Sequence, residues 1–182
     1  MKIYFVRHGQ TGHNREGVVT GHVDIPLTEE GVDQARKITQ EIPADFFEIY
    51  SSDLIRCKQT AEIINQKLNL QIIFDSRLRE RDFGSLAGKN IKKVDPTGEM
   101  IRKDFNQQYD YRPYGGEHVE DVKTRLFSFI KELQENKKDK KILVVTSGGI
   151  IRLLHNILNG EVHEVIHNSS IHEFEVPDHC KL

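Results

Sequence analysis

Three stretches of this chain carry side chains able to handle a phosphoryl group. The first is Arg7-His8-Gly9-Gln10-Thr11-Gly12-His13-Asn14. A guanidinium beside an imidazole can hold a phosphoryl oxygen while the ring nitrogen attacks phosphorus. An isolated Arg-His pair is more often an ordinary exposed pair, so its company along the chain matters. The second stretch, Ser51-Ser52-Asp53-Leu54-Ile55-Arg56, puts Arg56 in the first turn of a helix. Ser52 or Asp53 is its expected cap, and Arg56 lies off the apolar stripe. The third, Leu78-Arg79-Glu80-Arg81-Asp82-Phe83-Gly84, offers Glu80. A carboxylic acid there can protonate a leaving oxygen and then activate water, unless it is merely a surface charge paired with Arg79 or Arg81. A further small turn, Thr146-Ser147-Gly148-Gly149, offers backbone N–H groups to an anion, with Gly148 at its centre. Ser147 itself makes a poor serine-hydrolase nucleophile, because Val145 stands where the elbow motif needs glycine.

Positioning these groups falls to an alternation of strands and helices. Apolar runs rich in β-branched and aromatic residues lie at 3–6, 48–50, 71–74, 142–145 and 171–176. The run at 142–145 is continuous rather than alternating, which predicts a strand covered on both faces. Leu54, Cys57, Ala61, Ile64 and Leu68 fall on one face of a helix, as do Val119, Val122, Leu126, Phe129 and Leu133. A shorter helix is expected over 29–41, with Thr28 as cap and Glu29 and Glu30 in its first turn. Another should follow Gly149 through Ile150, Leu153, Leu154 and Ile157, stopping near Gly160. This order predicts an α/β fold, a three-layer αβα sandwich on a mostly parallel sheet, in a single domain over 1–182. Ligands of such sheets bind beyond the C-terminal strand ends, where Arg7-His8 and the turn at 146–149 fall. The least regular stretch, 89–116, reads either as a lid or as a surface insertion without a role.

Composition narrows the classes. Of 182 residues, 26 are Lys or Arg and 28 are Asp or Glu, a net charge of -2 that argues against broad binding to nucleic acid or anionic lipid. At 37% hydrophobic and 30% charged, the chain is neither disordered nor membrane-spanning. The apolar run at the N-terminus meets Arg7 too early for a signal peptide, so a soluble, cytoplasmic protein is expected. Cys57 and Cys180 make no disulfide framework, and Cys57 falls on a buried stripe. The nine histidines show no metalloprotease or zinc-finger spacing, so no metal is expected. His13 and His22, on the loop after His8, read either as lining the pocket or, the preferred reading, as exposed loop residues.

Taken together, Val6-Arg7-His8-Gly9-Gln10-Thr11, Pro26-Leu27-Thr28-Glu29-Glu30-Gly31, the stretch from Ser51 to Ala61 and Arg79-Glu80-Arg81-Asp82-Phe83-Gly84 resemble the histidine phosphatase superfamily. This is the phosphoglycerate mutase-like group, and the likeness runs from Ile3 to about Leu158. It implies a sheet of about six strands and a phosphohistidine intermediate. By resemblance, His8 is the nucleophile, Arg7 and Arg56 clamp the phosphate with Asn14 and Gln10 near its rim, and Glu80 is the proton donor. No cofactor or metal is implied, because arginine and histidine supply the positive charge.

One position departs from the family. Where relatives carry a second pocket histidine, in a pattern resembling Thr-His-Gly-Gly, this chain has Ser147. Serine donates one hydrogen bond but carries no charge and fills less volume. Losing one donor at a developing charge costs ~10²–10³ in rate, so the resemblance implies an impaired or inactive chain. The unrelaxed neighbours point to a recent or deliberate substitution; a natural pseudo-enzyme and a working variant are the alternatives. In a working variant His118 is the candidate for a compensating charge.

Three functions follow as expectations. The first is a metal-independent phosphomonoesterase acting on a small phosphorylated metabolite. The second is a phosphoglycerate mutase-type phosphotransferase, supported by the Glu80-Arg81 pair, with Arg81 contacting substrate. The third is a silent phosphate-binding module. Only 66 residues separate Glu80 from Ser147, and mutases of the family usually have a longer insertion, so hydrolysis is favoured. Lys89, Lys92, Lys93, Arg102, Lys103 and Arg112 make the lid basic, which suits an acidic substrate or simply forms a solvated face. The resemblance also admits α-ribazole phosphate. The expected partner is such a metabolite or inorganic phosphate, with no nucleic acid and no membrane.

Overall fold

The strand β4 (Ile142–Thr146) is buried along its whole length, as its unbroken apolar run predicts. The computed structural model describes residues 1–163 and 165–177, so His179 and Cys180 lie outside the described residues. The other strands are β1 (Lys2–Arg7), β2 (Glu48–Ser51), β3 (Ile72–Phe74) and β5 (Ile171–Glu175). Their order is β3-β2-β4-β1-β5, with β5 alone antiparallel to its neighbour β1. Among the described residues the sheet therefore has five strands, where the family resemblance implied about six. Each coincides with one of the five apolar runs.

The main helices are α2 (Glu29–Glu41), α3 (Ile55–Leu68), α6 (Val119–Lys137) and α7 (Gly148–Leu154), with a short α1 (Gly12–Glu16) after β1. Strand alternation splits the core between the two faces. Ile3, Phe5, Ile142 and Val144 pack with Leu126, Phe129 and Ile130 of α6. Val6, Ile49, Leu143 and Val145 pack with Ile38 of α2 and Cys57, Ala61 and Ile64 of α3. Each of the Val, Leu, Ile and Phe side chains among them contributes about 1.5–3 kcal/mol by leaving water. Among the described residues, no helix is long and apolar enough to cross a membrane.

Two local expectations are corrected. Neither Ser52 nor Asp53 caps α3; its first N–H, on Ile55, donates to Asp24 Oδ1 at 2.6 Å instead. Asp53 is drawn away by the guanidinium of Arg79, whose Nε lies 2.7 Å from it, a charge-assisted bond stronger than a cap. The stretch at 89–116 is less irregular than its prolines and glycines suggest. It holds α4 (Ile91–Val94) and α5 (Glu99–Phe105), then a 3₁₀ turn at Arg112–Tyr114. Asn90 starts α4 by accepting the Lys92 N–H at 3.1 Å. The last helix ends as foreseen at Gly160, but through a π turn, His155–Asn159.

The loop after β1 is pinned to the start of α2 through a glycine contact. A Cβ on Gly9 would collide with the Gly31 carbonyl, and one on Gly31 with the Gln10 backbone. Thr28 completes the junction, its N–H donating to Gln10 O at 2.9 Å and its hydroxyl accepting the Gly31 N–H at 3.0 Å. Gly31→Ala should therefore cost about 1–3 kcal/mol of stability by overpacking. Urea unfolding checks this, and an unchanged midpoint would contradict the close approach.

Candidate active site

Beyond the C-terminal ends of β1 and β4 the chain encloses a cavity of about 480 Å³. Arg7, His8, Asn14, Arg56, Glu80, Arg81, Ser147 and Gly148 all line it. Eight of the ten residues singled out in the sequence thus meet in one place.

His8 sits at the exit of β1 and is only 4% exposed. Its Nδ1 lies 2.7 Å from Gly9 O. A carbonyl only accepts, so Nδ1 carries the proton and Nε2 keeps its lone pair. Burial, then the charges of Arg56 and Arg7, hold the imidazole well below its ordinary pKa of 6.5. The ring is a neutral base with one free nitrogen.

Arg7 and Arg56 flank it. An Arg7 terminal nitrogen donates to Ile166 O, while Arg56 donates to Gly21 O at 2.8 Å and Val23 O at 2.9 Å. The Nε of each is buried without a partner. Burial, helped by the charges of Arg152 and Arg56 and opposed by Glu80, lowers the Arg7 pKa to about 10, so it stays charged at neutral pH. Ser147 occupies the N-cap position of α7, yet its side chain makes no cap bond, and Oγ is likewise buried and unpartnered. Leaving buried donors unmade costs about 1–3 kcal/mol each, a deficit that an acceptor-rich anion removes.

Glu80 is held from every side. Its Oε1 accepts the Arg81 N–H at 2.9 Å and its Oε2 the Gly149 N–H at 3.0 Å. A Cβ on Gly149 would collide with this carboxylate, so position 149 must be glycine for Glu80 to sit there. The Glu80 carbonyl accepts from His22 Nε2 at 2.7 Å and from Arg125 at 3.0 Å. Burial raises its pKa, but Arg81, the two backbone N–H groups and Arg56 outweigh it, leaving the carboxyl below its usual range. Glu80 is therefore ionised in the free protein.

The remaining expectations divide. Asn14 lines the cavity, its Oδ1 accepting the Thr11 N–H at 3.1 Å. Gln10 does not; the Gly9–Gly31 contact turns it to α2, where its Oε1 accepts from Thr28 at 3.0 Å. His118 is also absent from the wall. It caps α6, with Nδ1 accepting the Glu120 N–H at 3.1 Å, an acceptor role that protonation would end. Arg81 lines the cavity but is an internal ion, 2.6 Å from Asp104 and stacked over Tyr109. His13, expected in solvent, lines the cavity with a buried, unpartnered Nδ1, whereas His22 braces Glu80. Cys57 is a core thiol, pushed up to about 11 by burial.

Arg152 and Asp104 also line the cavity and went unremarked in the sequence. A lone charge in the apolar run of α7 was the available signal for Arg152. The lid turns Ile91, Met100, Ile101 and Phe105 inward, and none of its Lys or Arg residues lines the cavity. Lys103 pairs with Glu99 at 2.8 Å and Arg112 with Asp110 at 2.7 Å, so the basic stretch is a solvated face.

The model of the histidine phosphatase superfamily (branch 1) matches residues 3–180. The chain belongs to the histidine phosphatase superfamily. Over 185 residues it is 31% identical to phosphoglycerate mutase-like protein 4 of Arabidopsis thaliana, covering 97% of this chain and 80% of that one. Its fold superposes on a phosphoglycerate mutase from Thermus thermophilus with a TM-score of 0.82, at 32% identity over 97% and 94% of the two chains. A mycobacterial glucosyl-3-phosphoglycerate phosphatase, solved with VO3, gives 0.81 at 27% identity, over 94% and 91%. Both phosphatases and mutases thus stand among the relatives of this superfamily member.

The depressed His8 pKa has a direct readout. Because the shift is downward, the neutral ring should persist as pH falls from about 8 to about 5.5, where an ordinary histidine protonates. NMR of the His8 ring should show no titration in that window; a midpoint near 6.5 would contradict its burial between two guanidiniums.

Proposed function

We propose that the chain is a metal-independent phosphomonoesterase that works through a phosphohistidine at His8, and that Ser147 leaves it slow. The observation that carries this reading is the neutral His8 imidazole sharing a cavity with three buried, unpartnered donors: Arg7 Nε, Arg56 Nε and Ser147 Oγ. A phosphoryl group supplies three acceptor oxygens and a negative charge to that set.

The chemistry follows from the charges. Nε2 attacks phosphorus, and the bond from phosphorus to the ester oxygen breaks. The leaving oxygen takes its proton from Glu80. Glu80 is ionised in the free protein, but a bound phosphate monoester places negative charge beside it and raises its proton affinity. It takes up the proton of the monoester's monoanion on binding and holds it for the leaving oxygen. The carboxylate then removes a proton from water, whose oxygen attacks phosphorus. The phosphorus–nitrogen bond breaks, and phosphate leaves with His8 neutral again. The arginines supply the cationic stabilisation that Mg²⁺ gives in other phosphoryl-transfer sites. A second histidine at position 147 would add one more charged donor; Ser147 adds only a neutral one.

The inward apolar face of the lid supports a substrate whose leaving group buries hydrocarbon rather than a second anion. A mutase remains the second reading, supported by the names of the Arabidopsis and Thermus relatives. Release of inorganic phosphate from an aryl phosphate, against isomerisation of a phosphoglycerate, separates the two.

Ser147→His should raise turnover of an aryl phosphate by ~10²–10³ without added metal, and His8→Ala should abolish it in both backgrounds. Equal high activity before and after the Ser147 change, or activity surviving His8→Ala, would overturn the reading. Glu80→Gln should slow alkyl phosphates far more than nitrophenyl phosphate, whose leaving group needs no proton. Equal loss on both would remove Glu80 as the acid.

A further inference from the structure

The π turn His155–Asn159 ends at Gly160, whose φ of +67 folds the chain back over His155. Glu161 and His163 are thereby brought onto His155, six and eight residues earlier. One ligand atom from each of His155, Glu161 and His163 lies within 4.8 Å of the others. None of these residues lines the catalytic cavity.

We propose that His155 Nδ1, the Glu161 carboxylate and His163 Nε2 form a binding site for one divalent transition-metal ion of the Zn²⁺ type. Hydrogen-bond polarity argues for it. The Ser170 hydroxyl donates to His167 O at 2.7 Å, so its oxygen must accept from His172 Nε2, 2.8 Å away. His172 Nδ1 is then an acceptor, and His155 Nε2, at 2.9 Å, is the N–H that donates to it. The chain of bonds therefore fixes the lone pair of His155 on Nδ1. That lone pair faces a carboxylate oxygen of Glu161 at 3.4 Å, and the Asn159 amide, which donates to Nδ1 at 3.3 Å, also bonds Glu161. A cation would take the place of that amide between the two acceptors.

The geometry suits a small ion. Tetrahedral ligands at ~2.0–2.1 Å from Zn²⁺ stand roughly 3.3 Å apart. Glu161 Oε2 is 3.4 Å from His155 Nδ1 and accepts the His163 Nε2–H at 2.8 Å. A metal ion takes the place of that proton as His163 shifts to its other tautomer and the two outer side chains rotate modestly. His155 is the buried anchor, Glu161 is exposed and His163 half-buried, leaving the fourth position for water. Two imidazoles and one carboxylate select a borderline metal over Mg²⁺ or Ca²⁺. A ligating histidine whose other nitrogen is tied to a fixed partner, here His172, is the usual supporting arrangement.

The site touches the catalytic cavity through the backbone. His163 O accepts from Arg152 Nε at 2.6 Å, and Ile166 O accepts from Arg7. A metal on His163 thus braces the segment that holds two cavity arginines.

The test uses full-length protein stripped with a chelator and titrated with Co²⁺ and Zn²⁺. One Co²⁺ should bind with the visible bands of a near-tetrahedral N/O site, and Zn²⁺ should displace it and raise Tm. Glu161→Gln and His163→Gln, both on the outer side, should keep the metal-free Tm and weaken binding by at least tenfold. His172→Phe should weaken it about 10–100-fold by freeing the His155 ring. Absence of stoichiometric binding, or binding unchanged in the Glu161→Gln/His163→Gln double variant, overturns the site. Unchanged affinity in His172→Phe overturns the set as drawn, because His155 would then not be its oriented ligand.

Discussion

Four guanidiniums, from Arg7, Arg56, Arg81 and Arg152, share one cavity with two carboxylates, from Glu80 and Asp104. Removed from water, like charges at this density repel strongly, and each needs a partner or an anion. Arg81 and Arg152 are answered internally by Asp104, at 2.6 and 3.5 Å. Arg7 and Arg56 are answered mainly by backbone carbonyls, which offer dipoles but no charge. The surplus of two positive charges lies beside His8. Burial first, and then that imbalance, keeps the imidazole neutral.

Holding such a site open requires a scaffold that does not collapse around it. Arg125 reaches from α6 to the carbonyls of Arg77, Arg79 and Glu80, at 2.6, 2.7 and 3.0 Å, and fixes the segment carrying the acid. Thr146 closes the same segment onto β4, its hydroxyl 2.6 Å from Leu78 O. Gly149 then admits the carboxylate to the backbone of α7. His8 and Glu80 are thus mounted on the scaffold around the strand ends, and neither belongs to the 89–116 stretch. The 89–116 stretch contributes the apolar side chains of Ile91, Met100, Ile101 and Phe105 to the wall, together with the Asp104 carboxylate.

Ser147 is a wall residue whose polarity is left unspent. A serine at an N-cap position normally accepts from its own helix, but here Gly149 N–H is taken by Glu80, and Oγ stays idle. Ser147 lines the cavity from the start of α7, beside the core thiol of Cys57. His118, the histidine considered as a replacement charge, does not take up that role, because it is held away as a cap. His13 does reach the wall, but from the loop after β1 rather than from the start of α7.

Much of this was legible in the chain alone. The central strands β2 and β4 are buried along their whole length, which leaves few polar positions to hide them, whereas the edge strands β3 and β5 showed only through short β-branched and aromatic runs. Arg7, His8, Arg56 and Glu80 could be paired with strand and helix ends, since chain direction dictates where those ends emerge. Charge partners were not legible: Asp53 reads as a cap, and Arg81 as a substrate contact. The structure gives Asp53 to Arg79 and Arg81 to Asp104. Nor did the spacing of His155, Glu161 and His163 announce their convergence, which depends on a π turn and a left-handed glycine. Periodicity reports burial, a property each residue carries with it. Pairing depends on which distant group arrives within about 3 Å, and only the packed chain decides that.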